Sequence, residues 1–227
     1  MSDGRLQNAS VFVVSAPSGT GKTTLNRRLI AEHDQIVSMS VSYTTRQPRG
    51  AEVNGVDYHF VDVERFRELI KQHQMLEYAE VFGTLYGTAV AEVERIHKAG
   101  QTALLEIDVQ GWRQAREKLA GSQSIFILPP TVEALWKRLE GRGTEPKDVR
   151  WRRLMTARNE ISCGNLYDYF IINRDLEAAY RELEDIVIHG KRGVIGNAEG
   201  ASLCQQLLTE FDKAPWIQQV SRELADT

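Results

Sequence analysis

An α/β fold, with a central parallel β-sheet flanked by helices, is the class this sequence predicts. Three features predict it: short β-rich runs recurring between helical patterns, a glycine-bearing loop that joins the first run to the first helix, and a globular composition. With 42% hydrophobic and 26% charged residues over 227 positions, the chain can bury a substantial core, as one large domain or as a core with inserted lobes.

The elements follow in order. The apolar, β-branched run Val11 to Ser15 predicts a strand, and Leu25-x-x-x-Leu29-Ile30 predicts a helix over Thr23 to Glu32. Further strands are expected over Ile36 to Ser42, Ala103 to Asp108, Ile125 to Leu128 and Phe170 to Ile172. Helices are expected over Ala89 to Lys98, Gln110 to Leu119, Val132 to Glu140, Val149 to Ser162 and Leu176 to Ile188. Two regions break the alternation. Thr44 to Gly87, rich in Gly, Pro, Tyr and charge, mixes short strands with one helix, Val63 to Gln72, and predicts an inserted lobe. Gly141 to Pro146 is a turn between two basic helices, as a lid over phosphates requires. Beyond Gly190, a loop over Lys191 to Gly200 and two helical stretches ending at Asp226 are expected.

Between the first strand and first helix stands Ala16-Pro17-Ser18-Gly19-Thr20-Gly21-Lys22-Thr23. It matches the phosphate-binding loop G-x-x-x-x-G-K-[ST] except that Ala16 replaces the first Gly, which requires a negative φ there. Backbone N–H groups at the helix N-terminus suit anionic oxygens. Lys22 then reaches the β and γ phosphates of a nucleotide, and the Thr23 hydroxyl is a Mg²⁺ ligand. Between Lys137 and Arg158, eight basic residues stand against Glu140, Glu145 and Asp148, which suits a polyphosphate. Arg138 and Arg142 are four apart on one face of a helix ending at Gly141 or Gly143, and Arg153 lies on the next helix. Arginines closing from a lid match phosphoryl transfer, whose catalysis is mostly positioning and electrostatics; a solvated basic helix is the alternative.

Within the lobe, Pro48 pushes Gln47 toward extended geometry, so Arg46 and Arg49 project to one side and can converge on one phosphate; a solvated turn beside Gly50 is the alternative. Tyr58 and Tyr86 can stack or hydrogen-bond a phosphate, Thr88 offers a hydroxyl, and Glu77 can accept from two adjacent N–H donors, which guanine has and adenine lacks. The run before Asp108 delivers Glu106 and Asp108, at i and i+2, to one face at a strand's C-terminal end, where ligand crevices of open parallel sheets lie. Glu106 could there orient Mg²⁺-bound water and Asp108 could reach the acceptor base, unless Asp108 caps the following helix.

Composition excludes other classes. A net charge of −3 and a pI near 6.0 argue against a nucleic-acid binder. No run approaches the ~20 apolar residues of a membrane span. Met1 to Ser10 lacks a signal-peptide pattern, so no membrane association and a cytoplasmic location are expected. Cys163 and Cys204, outside any C-x-x-C pair, predict plain thiols.

Taken in order, these segments resemble guanylate kinases. The likeness runs through Ser15 to Thr23, Ser40-Val41-Ser42-x-Thr44-Thr45-Arg46-x-Pro48-Arg49, Glu52 to Phe60, Tyr86-Gly87-Thr88, Ile107 to Gly111 and Arg138-Leu139-x-Gly141-Arg142-Gly143-Thr144, covering roughly Val11 to His189. The resemblance implies a P-loop NTPase core with an inserted GMP-binding lobe and a helical lid. It implies transfer of the ATP γ-phosphate to GMP, and to dGMP, with Mg²⁺ as cofactor. It divides the chain into core 1–43, GMP lobe 44–91, core 92–131, lid 132–163, core 164–190 and a helical extension 191–227. By motif position, Arg46, Arg49, Tyr58 and Tyr86 hold the GMP phosphate, and Ser42, Glu77, Thr88 and Asp108 recognise guanine. Residues Ala16 to Thr23 bind ATP; Lys22, Arg138, Arg142 and Arg153 stabilise the moving phosphoryl group, and Arg46 joins the catalytic set. Thr23 ligates Mg²⁺ and Glu106 reaches it through water. Thr88 stands where Ser is common, Glu106 where Asp is frequent, and Asn173-Arg174-Asp175 where Asn-Asp-Asp is usual. The tail after Gly190 leaves open packing helices, an oligomer contact or a regulatory appendage. A non-catalytic phosphopeptide-binding scaffold and a P-loop kinase of a phosphorylated sugar are the alternative readings; the first has no use for Lys22 and Arg153, the second little for Glu77 and Asp108.

Overall fold

The computed structural model describes residues 10–81, 83–141, 146–191 and 195–225. A six-stranded sheet, ordered β10-β9-β8-β1-β7-β2, forms from β1 (Val11–Ser15), β2 (Val37–Met39), β7 (Thr102–Glu106), β8 (Gln123–Leu128), β9 (Tyr169–Ile172) and β10 (Ile195–Gly196). A second sheet, ordered β4-β3-β6-β5, contains β3 (Tyr43–Thr44), β4 (His59–Phe60), β5 (Met75–Val81) and β6 (Thr84–Ala89). Two compact units divide the fold: one takes the chain up to Val13 with Leu29–Gln123, the other Val14–Arg28 with everything from Ser124 onward.

In the first unit, β2 and β7 pair in parallel, Val37 opposite Thr102. The run expected as one strand over Ile36 to Ser42 is instead split. Ser40 N–H still donates to Leu104 O at 3.0 Å, but the chain then leaves this sheet and re-enters pairing at Tyr43, in the other one. The lobe has its own centre, built from Phe66, Leu69, Met75 and Ala89 with Tyr43, Val61, Ile70 and Leu85. Helix α2 (Val63–Lys71) supplies Phe66 and Leu69, and Asp62 caps it by accepting from Arg65 N at 2.7 Å. Helix α3 (Val90–Lys98) follows β6 directly. Helix α4 covers only Val109–Ala115, shorter than the expected Gln110 to Leu119, because the chain tightens into turns at Lys118 and Leu119 on the way to Gly121, whose φ is +85°.

In the second unit, helix α1 (Lys22–Glu32) begins at the end of the glycine-bearing loop; its last turn, from Leu29, belongs to the first unit. Strands β8 and β9 run parallel, with Phe126 opposite Phe170. Strand β10 adds an antiparallel edge, Ile195 opposite Phe170, so the sheet is mostly rather than wholly parallel. Helices α5 (Val132–Glu140), α6 (Lys147–Ile161) and α7 (Leu176–Val187) fall close to their expected ranges. The loop expected over Lys191 to Gly200 is corrected: β10 occupies Ile195–Gly196 and α8 (Asn197–Lys213) starts at once, because a two-residue strand is too short to show alternation.

Of the three roles left open for the tail, packing is what the described residues display. Cys204, Leu207 and Phe211 of α8 are buried, and Glu210 accepts from Val132 N at 3.0 Å, closing the N-terminus of α5. Helix α9 (Pro215–Ala225) sets Trp216 against Trp136, ring centroids 5.9 Å apart, while Asp212 pairs with Arg158 at 2.8 Å and Glu223 with Lys147. Burial pushes the Cys204 thiol up to about 12, as expected of an inert core cysteine. Among the described residues no helix is long and apolar enough to cross a membrane.

Candidate active site

The loop from Ala16 to Gly21 joins β1 to α1 with the backbone its motif demands. Gly19 and Gly21 have φ of +93° and +91°, a region that side chains disfavour. Ala16 is not among the positive-φ residues, so alanine is accommodated where the motif has glycine. Thr20 turns the loop back, its hydroxyl and N–H both donating to Pro17 O at 2.8 and 3.2 Å. Asn173, 3% exposed at the end of β9, donates from Nδ2 to Thr20 O at 2.7 Å, and its own main-chain O accepts from Arg138 Nη2 at 2.7 Å. One residue therefore anchors both the loop and a lid arginine. It was quoted in sequence only as part of a departure from the family pattern; no local signal marks a contact spanning 153 residues. Asn173→Ala leaves Thr20 O without this donor. It should lower unfolding free energy by about 1–3 kcal/mol, a fall of several degrees in Tm measurable by calorimetry.

The lid arginines are placed differently from one another. Arg138 is half-buried, and its Nη1 has no hydrogen-bond partner among the described residues; burial pulls its pKa down. A desolvated guanidinium with an unused donor favours an anion. Arg153 aims Nε and Nη2 at the Ser18 hydroxyl, at 3.2 and 2.7 Å, so α6 reaches the loop directly. Arg142, with Gly143 and Thr144, lies outside the described residues. Helix α5 ends at Glu140 with Gly141 in ordinary right-handed conformation at its C-cap.

In the lobe, Arg46 and Arg49 do not simply project together. Glu52 grips Arg46 in a fork, Nη1 to Oε2 at 2.6 Å and Nη2 to Oε1 at 2.7 Å, and also accepts from Arg49 N at 2.7 Å. The Arg46 hydrogen bonds, followed by the Arg49 N–H, hold the Glu52 carboxyl down at about 2. Arg46 lies 4.8 Å over the Tyr58 ring and within electrostatic reach of the Tyr86 hydroxyl, and Tyr58 meets Tyr86 edge to face at 6.1 Å. Three of the four expected phosphate-site residues are thus brought together; the Arg49 side chain stays exposed. In sequence Glu52 has no assigned role; its signal there is an acid six residues beyond Arg46.

Glu77 is 8% exposed, opposite Thr88 across the β5–β6 pair and beside a bulge. Burial raises its carboxyl to about 7; the neighbouring Thr88 hydroxyl and main chain and Lys118 oppose the rise, while Asp108 adds to it. Gly111 packs against it so closely that a Cβ there would stand 3.0 Å from Glu77 Oε2. Ser42 Oγ lies 3.4 Å from Thr88 Oγ1, completing a group of acceptors and hydroxyls. Strand β7 ends at Glu106, so Asp108 is not on it as expected: its Oδ1 accepts from Gly111 N at 2.7 Å and caps α4. The capping reading holds for that oxygen. The Asp108 side chain is nonetheless near enough to Glu77 to raise its pKa, which keeps it in the same cluster.

A sequence profile described as Guanylate kinase matches residues 8–190. The chain belongs to the guanylate kinase family. A guanylate kinase of Neisseria gonorrhoeae is 50% identical over 181 residues, covering 80% of this chain and 88% of that protein. One of Alkalilimnicola ehrlichii is 48% identical over 177 residues, covering 78% and 87%. The crystal structure of guanylate kinase from Anaplasma phagocytophilum superposes with a TM-score of 0.61 at 31% identity, covering 91% of this chain and 96% of that one. The family profile ends at residue 190, before α8.

Proposed function

We propose that this member of the guanylate kinase family transfers the γ-phosphoryl group of ATP to GMP, and to dGMP, giving ADP and the guanosine diphosphate. A GMP phosphate oxygen attacks the γ-phosphorus in line, and the bond to the β–γ bridging oxygen breaks. The acceptor phosphate is largely dianionic at neutral pH, so no general base is required. Residues Ala16 to Thr23 cradle the ATP phosphates, and Lys22, Arg138, Arg142 and Arg153 meet the charge that develops on the moving group. Arg46, Arg49, Tyr58 and Tyr86 take the GMP phosphate, with Glu52 holding the Arg46 fork in position. Ser42, Glu77, Thr88 and Asp108 take guanine, whose adjacent N1–H and N2–H donors match a carboxylate.

The Thr23 hydroxyl, exposed in the first turn of α1, and the Glu106 carboxylate, partly exposed at the end of β7, are hard oxygen donors of the kind Mg²⁺ prefers. Thr23 would ligate the ion and Glu106 would act through water, the ion neutralising phosphate charge when bound. The domain reading follows the same division of labour: lobe 44–91 for the acceptor, lid 132–163 for the donor phosphates.

The observation that carries the acceptor assignment is the buried Glu77 carboxyl grouped with the Thr88 and Ser42 hydroxyls, whose two carboxylate oxygens match the adjacent N–H donors of guanine. An ATP-coupled assay across GMP, dGMP, AMP, CMP, UMP and ribose phosphates, with and without Mg²⁺, tests it. Turnover confined to GMP and dGMP and dependent on Mg²⁺ is expected; equal turnover of AMP or a sugar phosphate would refute the assignment.

A further inference from the structure

Just past the lobe stands a buried carboxylate that none of the roles above uses. Glu92, the third residue of α3, has a side chain only 4% exposed. Its Oε2 accepts from Val41 N and from Arg95 Nη2, each at 2.9 Å. Its Oε1 lies 2.9 Å from His59 Nε2 and 3.3 Å from Arg95 Nε. Burial would raise this carboxyl, yet the Arg95, Val41 and His59 donors hold it below the usual carboxylate range, so it accepts as an anion.

Those contacts close a ring. His59 N donates to Ser42 O at 2.8 Å, so Val41 and Ser42 on one side and His59 on the other are joined both directly and through Glu92. The ring lies where sheet pairing lapses: β2 ends at Met39 and β3 begins at Tyr43, leaving Val41 N–H with no ladder acceptor. The His59 ring also stacks on Tyr43, centroids 4.5 Å apart, and the neighbour of His59 is Tyr58. A side chain borne on α3 therefore sets the main chain on which Ser42 stands and the strand next to Tyr58.

We infer that Glu92 is a positioning residue for the GMP site, fixing Ser42 against Thr88 and β4 beside Tyr58 through its bonds to Val41 and His59. The inference rests on the acceptor-site reading above. Main-chain displacement of a recognition residue weakens binding of the ligand it serves and spares the other substrate.

The test is steady-state kinetics of Glu92→Leu and Glu92→Gln in the full chain, varying GMP and ATP separately. Glu92→Leu should raise KM for GMP by about tenfold or more with KM for ATP within about twofold of the parent. Glu92→Gln keeps an oxygen for Val41 N–H and a polar group beside His59 Nε2, and should stay within about threefold of the parent. Parental GMP kinetics in a folded Leu variant, an equal rise in both KM values, or a Gln variant as impaired as Leu each overturn the inference. If Glu92→Leu does not fold, His59→Phe keeps a ring on Tyr43 and removes Nε2. It should raise KM for GMP by about threefold or more with ATP unaffected, and a parental value would overturn the inference. Parent enzyme that turns over GMP in the same assay separates this failure from failure of the acceptor reading itself.

Discussion

Lys22→Ala should lower kcat by about 10³-fold, while GMP binding, read by calorimetry, should stay near the parental affinity. The lysine opens α1 in the Val14–Arg28 segment of the second unit, directly after Gly21. The residues assigned to GMP lie between Ser42 and Asp108, in the first unit. The proposed role concentrates the lysine's contribution on charge that builds as the phosphoryl group moves, so the loss belongs in the chemical step. The loop itself is held by Thr20 on Pro17 and by Asn173. A kcat within tenfold of the parent would remove Lys22 from the catalytic set.

Glu77→Gln has opposite effects on acceptor selectivity and on stability. A carboxylate offers acceptors to both guanine donors, whereas an amide offers one acceptor and places its own N–H₂ against the other. The preference for GMP over AMP should therefore fall by about 10²-fold or more, read as the ratio of kcat/KM values. In the free protein the sign reverses. The folded-state carboxyl is raised from 4.5 to about 7, so the proton is held more tightly in the fold than in the unfolded chain. Stability from this group is complete below pH 4.5, where it is neutral in both states, and is lost as pH rises through about 7. Glutamine lacks that loss. At pH 8 the variant should be more stable than the parent by about 3 kcal/mol, and at pH 4 nearly equal to it, as urea unfolding at both pH values will show. The same titration couples to ligand: guanine selects the carboxylate, so GMP affinity of the parent should climb with pH up to about 7 and then level, a slope that should be shallower in Glu77→Gln, where only the GMP phosphate, with its second pKa of about 6, still titrates in this range.

Linear chemistry was enough for the strand, loop and helix from Val11 to Glu32, because glycine φ requirements and hydrophobic spacing are local properties. The helices α5 and α7 were equally legible, their apolar faces repeating with helical period. Where the chain changes sheet at Ser40 to Ser42 the pattern misled: β-branched and small polar residues continue across a point where only pairing with Leu104 decides that one strand has ended. Strand β10 and the start of α8 escaped for a similar reason, two residues being too few to declare a period.

At the site, sequence determined which residue types were available: the Lys22 loop, the lobe arginine and tyrosines, and the acid at position 77. It could not assign partners separated by long stretches of chain. That Asn173 ties Thr20 to Arg138 and that Glu92 holds Val41 and His59 were decided by tertiary structure, whereas the Asp108 cap of α4 is local and was open in sequence, and Glu52 stands only six residues from the Arg46 it grips. Burial separates the two classes physically. Burial, with Asp108 nearby, pushes the Glu77 carboxyl up, and Glu92 stays charged because donors from Val41, His59 and Arg95 reach it together.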